Sequence, residues 1–308
     1  MKLVTIALFI YNQEDFVLDA LKGVLSQTYS NLEVIISDDC SSDNSFQIIN
    51  NELKSYSGPH KVIINRNKTN MGLVMHVNHV LSISNGDFFI FAAGDDVSQP
   101  ERAVKSVNLL NKYPDASFVS FNNIVIDKLG STIRQKSRVS FEGIREYRLN
   151  DFIGNKTLPF SGASRAIRMS VFNQFGDLSK NCPTEDTPMI VRGLLCGTGV
   201  VSSDIEIKYR QHENNLSGKK YYYDMDVESI TNQYLNDAKL AFDSHIINES
   251  VYSEFTIWAQ KNVEKRTLFN EFYKLSIKDR IPFYFTDILM SKTAGIKLKF
   301  VILLNFLK

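Results

Sequence analysis

Hydrophobic and polar positions alternate in long blocks through the first 120 residues. Leu3 to Ile10 is a nearly continuous apolar run, the pattern of a strand buried on both faces. Residues 15 to 27 place Phe16, Ala20, Leu21, Val24 and Leu25 on one helical face. Leu32 to Ile36 predicts a second strand, which runs into the polar cluster Ser37-Asp38-Asp39-Cys40-Ser41-Ser42-Asp43. Ser42 or Asp43 is placed to cap the next helix, whose apolar members are Phe46, Ile48, Ile49 and Leu53. A third strand, Lys61 to Asn65, precedes a polar loop, Arg66 to Gly72, and a helix to about Ser84. Asp87 to Ala92 predicts a fourth strand ending at Gly94-Asp95-Asp96, then a helix from Gln99 to Lys112 and a fifth strand, Ala116 to Phe121. This order implies right-handed crossovers and a Rossmann-like, doubly wound, mostly parallel α/β sheet.

The second half is less regular. Ile124 to Arg138 predicts a hairpin turning at Lys128-Leu129-Gly130. A glycine loop at Ser161-Gly162 and a helix near Met169 to Phe175 follow. Thr184-Glu185-Asp186 then opens a helix carrying Met189, Ile190, Val191, Leu194 and Leu195. Beyond Ser217-Gly218-Lys219-Lys220 strand alternation stops, and residues 224 to 290 read as two or three helices. The expected division is an α/β domain over 1–218 and a helical region over 219–308.

The chain has 308 residues, 44% hydrophobic and 22% charged, which excludes a disordered chain, a collagen-like repeat and a small stapled scaffold. A net charge of +1 offers no global argument for nucleic acid, and none is expected as a partner. Cys40, Cys182 and Cys196 are too few and scattered for a disulfide framework or a CxxC metal clamp, which points to a reducing cytoplasm. The N-terminal apolar run breaks at Tyr11-Asn12-Gln13-Glu14, too early for a signal peptide, and no apolar stretch approaches the roughly 20 residues that cross a bilayer. From Thr256 to Lys308, however, there are 10 Lys or Arg against 4 Asp or Glu, a net +6 interleaved with aromatics such as Trp258, Phe272 and Phe285. Such a segment suits an anionic membrane surface. The same residues also suit a helical hairpin packed on the core or paired with a second copy.

Acidic pairs carry the candidate chemistry. Asp38-Asp39 and Asp95-Asp96 both fall at carboxyl ends of predicted strands, where open α/β sheets bind ligands. Adjacent carboxylates repel unless donors or a cation compensate, and a divalent ion with oxygen ligands is the economical partner. Glu185-Asp186 opens a helix, and His212 follows an alternating strand, where it can complete a metal shell. Capping alone explains each acidic site taken singly.

Taken together, the residues resemble family 2 glycosyltransferases. The likeness runs through Phe9-Ile10-Tyr11-Asn12, Ser26-Gln27-Thr28-Tyr29, Glu33 to Asp43, Asn67 to Gly72, Gly86-Asp87, Gly94-Asp95-Asp96 with Pro100, Glu185-Asp186 and Tyr209-Arg210-Gln211-His212, over about residues 3 to 215. The resemblance implies a GT-A fold and inverting transfer of one hexose-type sugar. The donor would be a nucleoside-diphosphate sugar, UDP foremost, and the acceptor an oligosaccharide or lipid-linked glycan of O-antigen or capsule assembly. It implies that Phe9, Ile10 and Tyr11, with Glu14 on the same loop and Asp39, cradle the base and ribose, flanked by Asn70 and Gly72. Asp95 would face the donor, and Asp96 would be the direct ligand of Mn²⁺ or Mg²⁺, with His212 reaching the same ion. Asp186 matches the catalytic base; Gly162, Glu185 and Arg210 fall to the acceptor or to a lid over Gln211 to Lys220. Location would be cytoplasmic, on the inner membrane face.

Two positions depart from the pattern: Ala93 stands where many members carry a further Asp, and Cys40 where glycine is frequent. A nucleotidyltransferase would need a glycine-rich basic loop after the first strand, whereas Tyr11 to Asp15 is acidic and lacks glycine. An inactive, binding-only homologue would be expected to lack Asp96 or Asp186, and both are present.

Overall fold

A computed structural model of the chain describes all residues except 135–138, 155–157, 214, 216–223, 292–293, 296–298, 300–301 and 303–308. The chain forms two compact units, Met1–Lys180 with Thr184–His212, and Asn181–Pro183 with Glu213–Lys308. The expected boundary at 218/219, most of the Gln211–Lys220 lid and the far end of the 124–138 hairpin lie outside the described residues.

The first unit alternates strand and helix as its apolar periodicity dictates: β1 (Val4–Ile10), α1 (Val17–Leu25), β2 (Leu32–Asp38), α2 (Ser45–Leu53), β3 (Lys61–Arg66), α3 (Leu73–Ser82) and β4 (Phe88–Ala93). Then come β5 (Val97–Ser98), α4 (Arg102–Lys112), β6 (Ala116–Ile126), β7 (Thr132–Arg134), β8 (Ile144–Tyr147), α5 (Leu149–Ile153), β9 (Ala166–Arg168), α6 (Met169–Phe175), α7 (Asp186–Cys196) and β10 (Thr198–Arg210). They build a ten-stranded sheet in the order β3-β2-β1-β4-β9-β6-β10-β5, with β7 on β6 and β8 on β10.

The expectation of a mostly parallel sheet holds for β3-β2-β1-β4 and for β6 with β10. It fails between them: the three residues of β9 lie antiparallel to both β4 and β6. β9 enters from the 158–165 turn rather than from a crossover helix, so nothing constrains it to run parallel.

Side chains on both faces of β1 are buried, with Ile6 and Leu8 at 0% exposure under Ala20, Leu21, Ala103 and Leu110. Leu8→Ala there would cost about 2–5 kcal/mol. Register aligns the strand ends that matter: Ile10 sits opposite Asp38, Asp38 opposite Arg66, and Phe9 opposite Ala93. The N-cap of α2 is Asn44 rather than Ser42 or Asp43; Asp43, one residue earlier, accepts from Ser45 N on Oδ1 (2.9 Å) and from Glu14 N on Oδ2 (3.0 Å).

The second unit is helical among the described residues: α8 (Val227–Asp243), α9 (Glu249–Lys274) and α10 (Ile277–Phe283), the last running into a π turn, Tyr284–Ile288. Asp226 and Asn248 cap α8 and α9 through Ser229 N and Val251 N, both 3.0 Å. Phe272, Tyr284, Ile288, Ala294 and Ile302 form a small core, while Ile281, Phe285 and Met290 stay exposed. No helix of the described residues is long and apolar enough to cross a membrane.

Candidate active site

Backbone hydrogen bonds draw the strand ends into one floor. Asp39 N donates to Ile10 O, Gly94 N to Phe9 O and Asn67 N to Asp38 O, each at 2.9 Å. Two residues adopt left-handed conformations at the turns leaving β1 and β2, Asn12 (φ 52°) and Cys40 (φ 62°). Asn12 Oδ1 accepts from Ser42 N (2.8 Å), so the two turns brace each other. Glu14 Oε2 accepts from Asn44 N (2.9 Å) and Nδ2 (2.7 Å), which makes Glu14 a fastener of this loop. Tyr11 stands out at the tip, 47% exposed.

The Asp38-Asp39 pair divides its work. Asp38 turns inward to Ser41 N (3.0 Å), Ser41 Oγ and Arg66 Nε (3.2 Å). Asp39 accepts from Asn67 Nδ2 (2.8 Å) and Met71 N (2.9 Å) on Oδ1, and from Gly72 N (3.0 Å) on Oδ2. Gly72 N also reaches Asn70 Oδ1 at 2.8 Å, and φ of +77° requires glycine's freedom there. Asp39, Asn70 and Gly72 therefore meet, as expected from the sequence. Beneath them His76 bonds Ser37 Oγ at 2.6 Å, and burial lowers its pKa, keeping it neutral.

The second acidic pair follows β4. Asp96 is buried, its Oδ1 accepting from Arg210 N at 2.8 Å. Burial, then the neighbouring charge of Asp95, raises its pKa well above the usual carboxylate range, against the opposing Arg210 N–H and the Arg102 and Arg210 charges. Arg102, fully buried, donates to Ser98 Oγ (2.9 Å), Phe91 O (2.6 Å) and Ala163 O (2.8 Å), and burial brings its pKa down to about 9. Asp95 is the more accessible member, and its Oδ2 lies 3.0 Å from His212 Nε2, whose ring packs 4.7 Å from that of Phe16.

Asp95, not Asp96, is the carboxylate that meets His212, because Asp96 is drawn inward by the Arg210 backbone. Arg210, at 1% exposure, donates to Asp95 O (2.9 Å), Lys128 O (2.9 Å) and Asp19 Oδ2 (2.9 Å), which ties the end of β10 to the second acidic pair and to α1.

No group of three or more His, Cys, Asp or Glu side chains able to hold a metal comes together among the described residues. The donor set nonetheless fits a hard divalent cation, with carboxylate oxygen and imidazole nitrogen on one side and the remaining ligands left to phosphate and water.

The third acidic pair starts α7. Asp186 is 43% exposed, and its Oδ1 is bonded by Arg165 Nη2, while Arg165 Nη1 donates to Asp186 O at 2.9 Å. A Cβ on Gly162 would stand 2.8 Å from that Oδ1, so only glycine leaves Asp186 its place. Glu185 points into the protein, its Oε2 buried without a hydrogen-bond partner. Burial and the charge of Asp186 push it up to about 7, despite its own backbone N–H and Arg165. Arg102 bonds both Phe91 O and Ala163 O, tying the 162–165 turn to the strand that leads to Asp95. Sequence reasoning missed Arg165 and Arg102. The available signal was a single cation set among small and apolar residues, as in Ser161-Gly162-Ala163-Ser164-Arg165-Ala166-Ile167.

Open α/β sheets bind ligands beyond the carboxyl ends of their strands, where these acidic pairs stand, and solved structures share the fold. S. aureus TarS in complex with UDP-GlcNAc is similar with a TM-score of 0.65 and 16% identity, over 97% of this chain and 83% of that one. Mannosyltransferase PcManGT from Pyrobaculum calidifontis, in complex with GDP-Man and Mn²⁺, gives 0.55 and 11% over 99% and 87%. The fold is GT-A. The profile of glycosyl transferase family 2 matches residues 5–176, more than half of the chain, and the chain belongs to that family.

Among curated relatives, EpsE of Bacillus subtilis (strain 168) is 36% identical over 127 residues, 41% of this chain and 45% of that protein. The Escherichia coli UDP-Glc:alpha-D-GlcNAc-diphosphoundecaprenol beta-1,3-glucosyltransferase WfaP is 30% identical over 128 residues, 42% of this chain and 48% of that protein. The chain thus spans about half the length of the curated relatives it matches.

Proposed function

We propose that the chain transfers one hexose-type sugar, with inversion, from a UDP-sugar to an oligosaccharide or lipid-linked acceptor in surface-polysaccharide assembly. The observation that carries this reading is Asp186: a half-exposed carboxylate at a helix start, fixed through one oxygen by Arg165, whose own turn is tied to the strand that leads to Asp95. UDP is favoured by the printed ligand of TarS and the printed donor of WfaP, and a lipid-linked acceptor by the printed name of WfaP.

Base and ribose would lie over Phe9, Ile10 and Tyr11 against Asp39, with Asn70 and Gly72 at the flank. Asp95 and His212, backed by Asp96, would hold Mn²⁺ or Mg²⁺, which when bound neutralises negative charge on the departing diphosphate. Asp186 Oδ2 takes the proton of the acceptor hydroxyl as that oxygen bonds to the anomeric carbon and the carbon–diphosphate oxygen bond breaks on the opposite face. Gly162 borders the acceptor side, while Glu185, expected there, points into the protein behind Asp186. No covalent sugar–protein intermediate is required.

The test is UDP release from a panel of UDP-, dTDP- and GDP-sugars with Mn²⁺ or Mg²⁺, with and without EDTA. One donor should be turned over, with activity lost in EDTA, in Asp95→Ala and in Asp186→Asn. An Asp186→Asn variant as fast as the native chain would refute the base assignment. Silence across the panel, together with no nucleotide binding by calorimetry, would refute the transferase reading.

The helical region is read as a peripheral contact with the anionic inner face of the cytoplasmic membrane, supported by its net +6 from Thr256 to Lys308 and by exposed Ile281, Phe285 and Met290. Failure of the full chain to sediment with phosphatidylglycerol vesicles at low salt would overturn that placement.

A further inference from the structure

We infer that Arg165 is the positioning residue of the transfer step: it fixes Asp186 through two points of attachment so that the outer carboxylate oxygen alone meets the acceptor hydroxyl. The inference rests on the reading of Asp186 as the base.

Several buried arginines in this unit have plain structural duties. Arg168 donates to Ala116 O and Leu110 O, and Arg192 to Gly176 O and Asp177 O, so each closes off carbonyls at the ends of helices or strands. Arg102 ties three separate segments together.

Arg165 differs from all of them. Its side chain is 2% exposed, yet among the described residues both hydrogen-bond acceptors of its guanidinium belong to one residue, Asp186. Its Nε is buried with no partner. Burying a guanidinium with an unmatched N–H is unfavourable, and a well-packed apolar side chain would serve the fold as well or better. What the arginine supplies instead is geometry. Nη1 on the backbone carbonyl and Nη2 on Oδ1 hold the first residue of α7 and its side-chain rotamer together, which a planar fork does and a single ammonium does not.

The fork is itself fixed from behind. The guanidinium carbon stands 5.8 Å from the centre of the Phe91 ring, and Phe91 N donates to Arg165 O at 3.3 Å. Gly162 completes the seat from the other side, since any Cβ there would press on Oδ1. Oδ2 accepts no hydrogen bond from a described residue, and the side chain is 43% exposed, so this oxygen is the one left to take a proton.

The test compares the native chain with Arg165→Met, Arg165→Lys, Gly162→Ala, the Arg165→Met/Gly162→Ala double variant and Asp186→Asn. It reads kcat and KM for whichever donor the panel identifies, nucleotide affinity by calorimetry, and Tm. A misplaced base costs on the order of 100-fold. Arg165→Met is therefore expected to lower kcat by that factor, with donor KM and UDP affinity within about threefold of native. Arg165→Lys should fall between Met and native, and Gly162→Ala should lower kcat by at least about tenfold.

If both changes act through the same carboxylate, the double variant is no slower than the worse single one, whereas independent sites would multiply. An Arg165→Met kcat within about twofold of native overturns the inference while Asp186→Asn stays inactive. Loss of UDP affinity in step with kcat also overturns it, marking a merely structural role. Should Arg165→Met not fold, Gly162→Ala with unchanged kcat refutes the seat by itself. An active Asp186→Asn would instead bring down the base assignment, a separate outcome.

Discussion

Replacing Glu185 with glutamine separates the charge of that carboxyl from its bulk. In the folded chain, burial and then the Asp186 charge move Glu185 from 4.5 up to about 7. An unfolded chain gives up the same proton near 4.5. Below that pH both states are protonated and the group does not influence stability. As pH rises from 4.5 towards 7, the unfolded chain ionises while the folded chain holds its proton, so folding is progressively disfavoured; above 7 the deficit is constant. At about 1.4 kcal/mol per pH unit, the interval is worth about 3 kcal/mol. The amide brings N–H donors to a place where Oε2 has no partner, a cost of about 1–3 kcal/mol that does not depend on pH. The informative quantity is therefore the change in the difference between variant and native chain. Between pH 5 and pH 8 that difference should shift by about 2–3 kcal/mol in favour of Glu185→Gln. Hydrogen exchange of the 189–195 amides, corrected for intrinsic rate, measures it within one helix, which avoids treating a two-unit chain as one transition. A difference that stays flat across this range would refute the raised Glu185 and the burial argument behind it.

Two further substitutions probe the frame beneath the site. Arg102→Met leaves Ser98 Oγ, Phe91 O and Ala163 O without their donor and should cost about 1–3 kcal/mol for each acceptor left unpaired, seen as a lower Tm of the first unit at pH 7. Gly86→Ala places a Cβ 2.5 Å from Thr5 N and 2.7 Å from Phe88 O, backbone atoms of paired strands that have little room to move. It should cost about 1–3 kcal/mol in thermal denaturation, and an unchanged Tm would contradict the register of β1 with β4.

The parts legible in the sequence are those where one physical signal dominates. Leu3 to Ile10 could only be a strand buried on both faces, and the helix before Leu25 follows from its 3.6-residue period. The meeting of Asp39 with Asn70 and Gly72 was implied by the family resemblance rather than by periodicity. β5 and β9 were invisible because two or three residues have no period to detect. Missing β9 hid the antiparallel insertion between β4 and β6. Arg165 and Arg102 were missed since an arginine's burial depends on tertiary partners, whose one local trace is a lone cation among small and apolar residues.

The two outer acidic pairs follow one electrostatic design. In each, one carboxyl is buried and its pKa driven up, Asp96 in the first and Glu185 in the second. The other is more accessible and touches a basic side chain, Asp95 with His212 and Asp186 with Arg165. Two ionised neighbours would repel each other, so favouring the neutral form of the buried member leaves its partner to carry charge without that opposition. On the proposed reading the accessible member is the one that works: Asp95 would meet the diphosphate and Asp186 the acceptor hydroxyl. On this logic, exchanging the order of acid and amide within a pair is not a conservative change. Asp95→Asn should remove metal-dependent turnover while leaving the fold intact. Asp96→Asn keeps a neutral side chain whose carbonyl oxygen still accepts from Arg210 N, so turnover and Tm should stay close to native. If the two variants lost turnover equally with equal Tm, the division of labour would be wrong and Asp96 would share the cation directly.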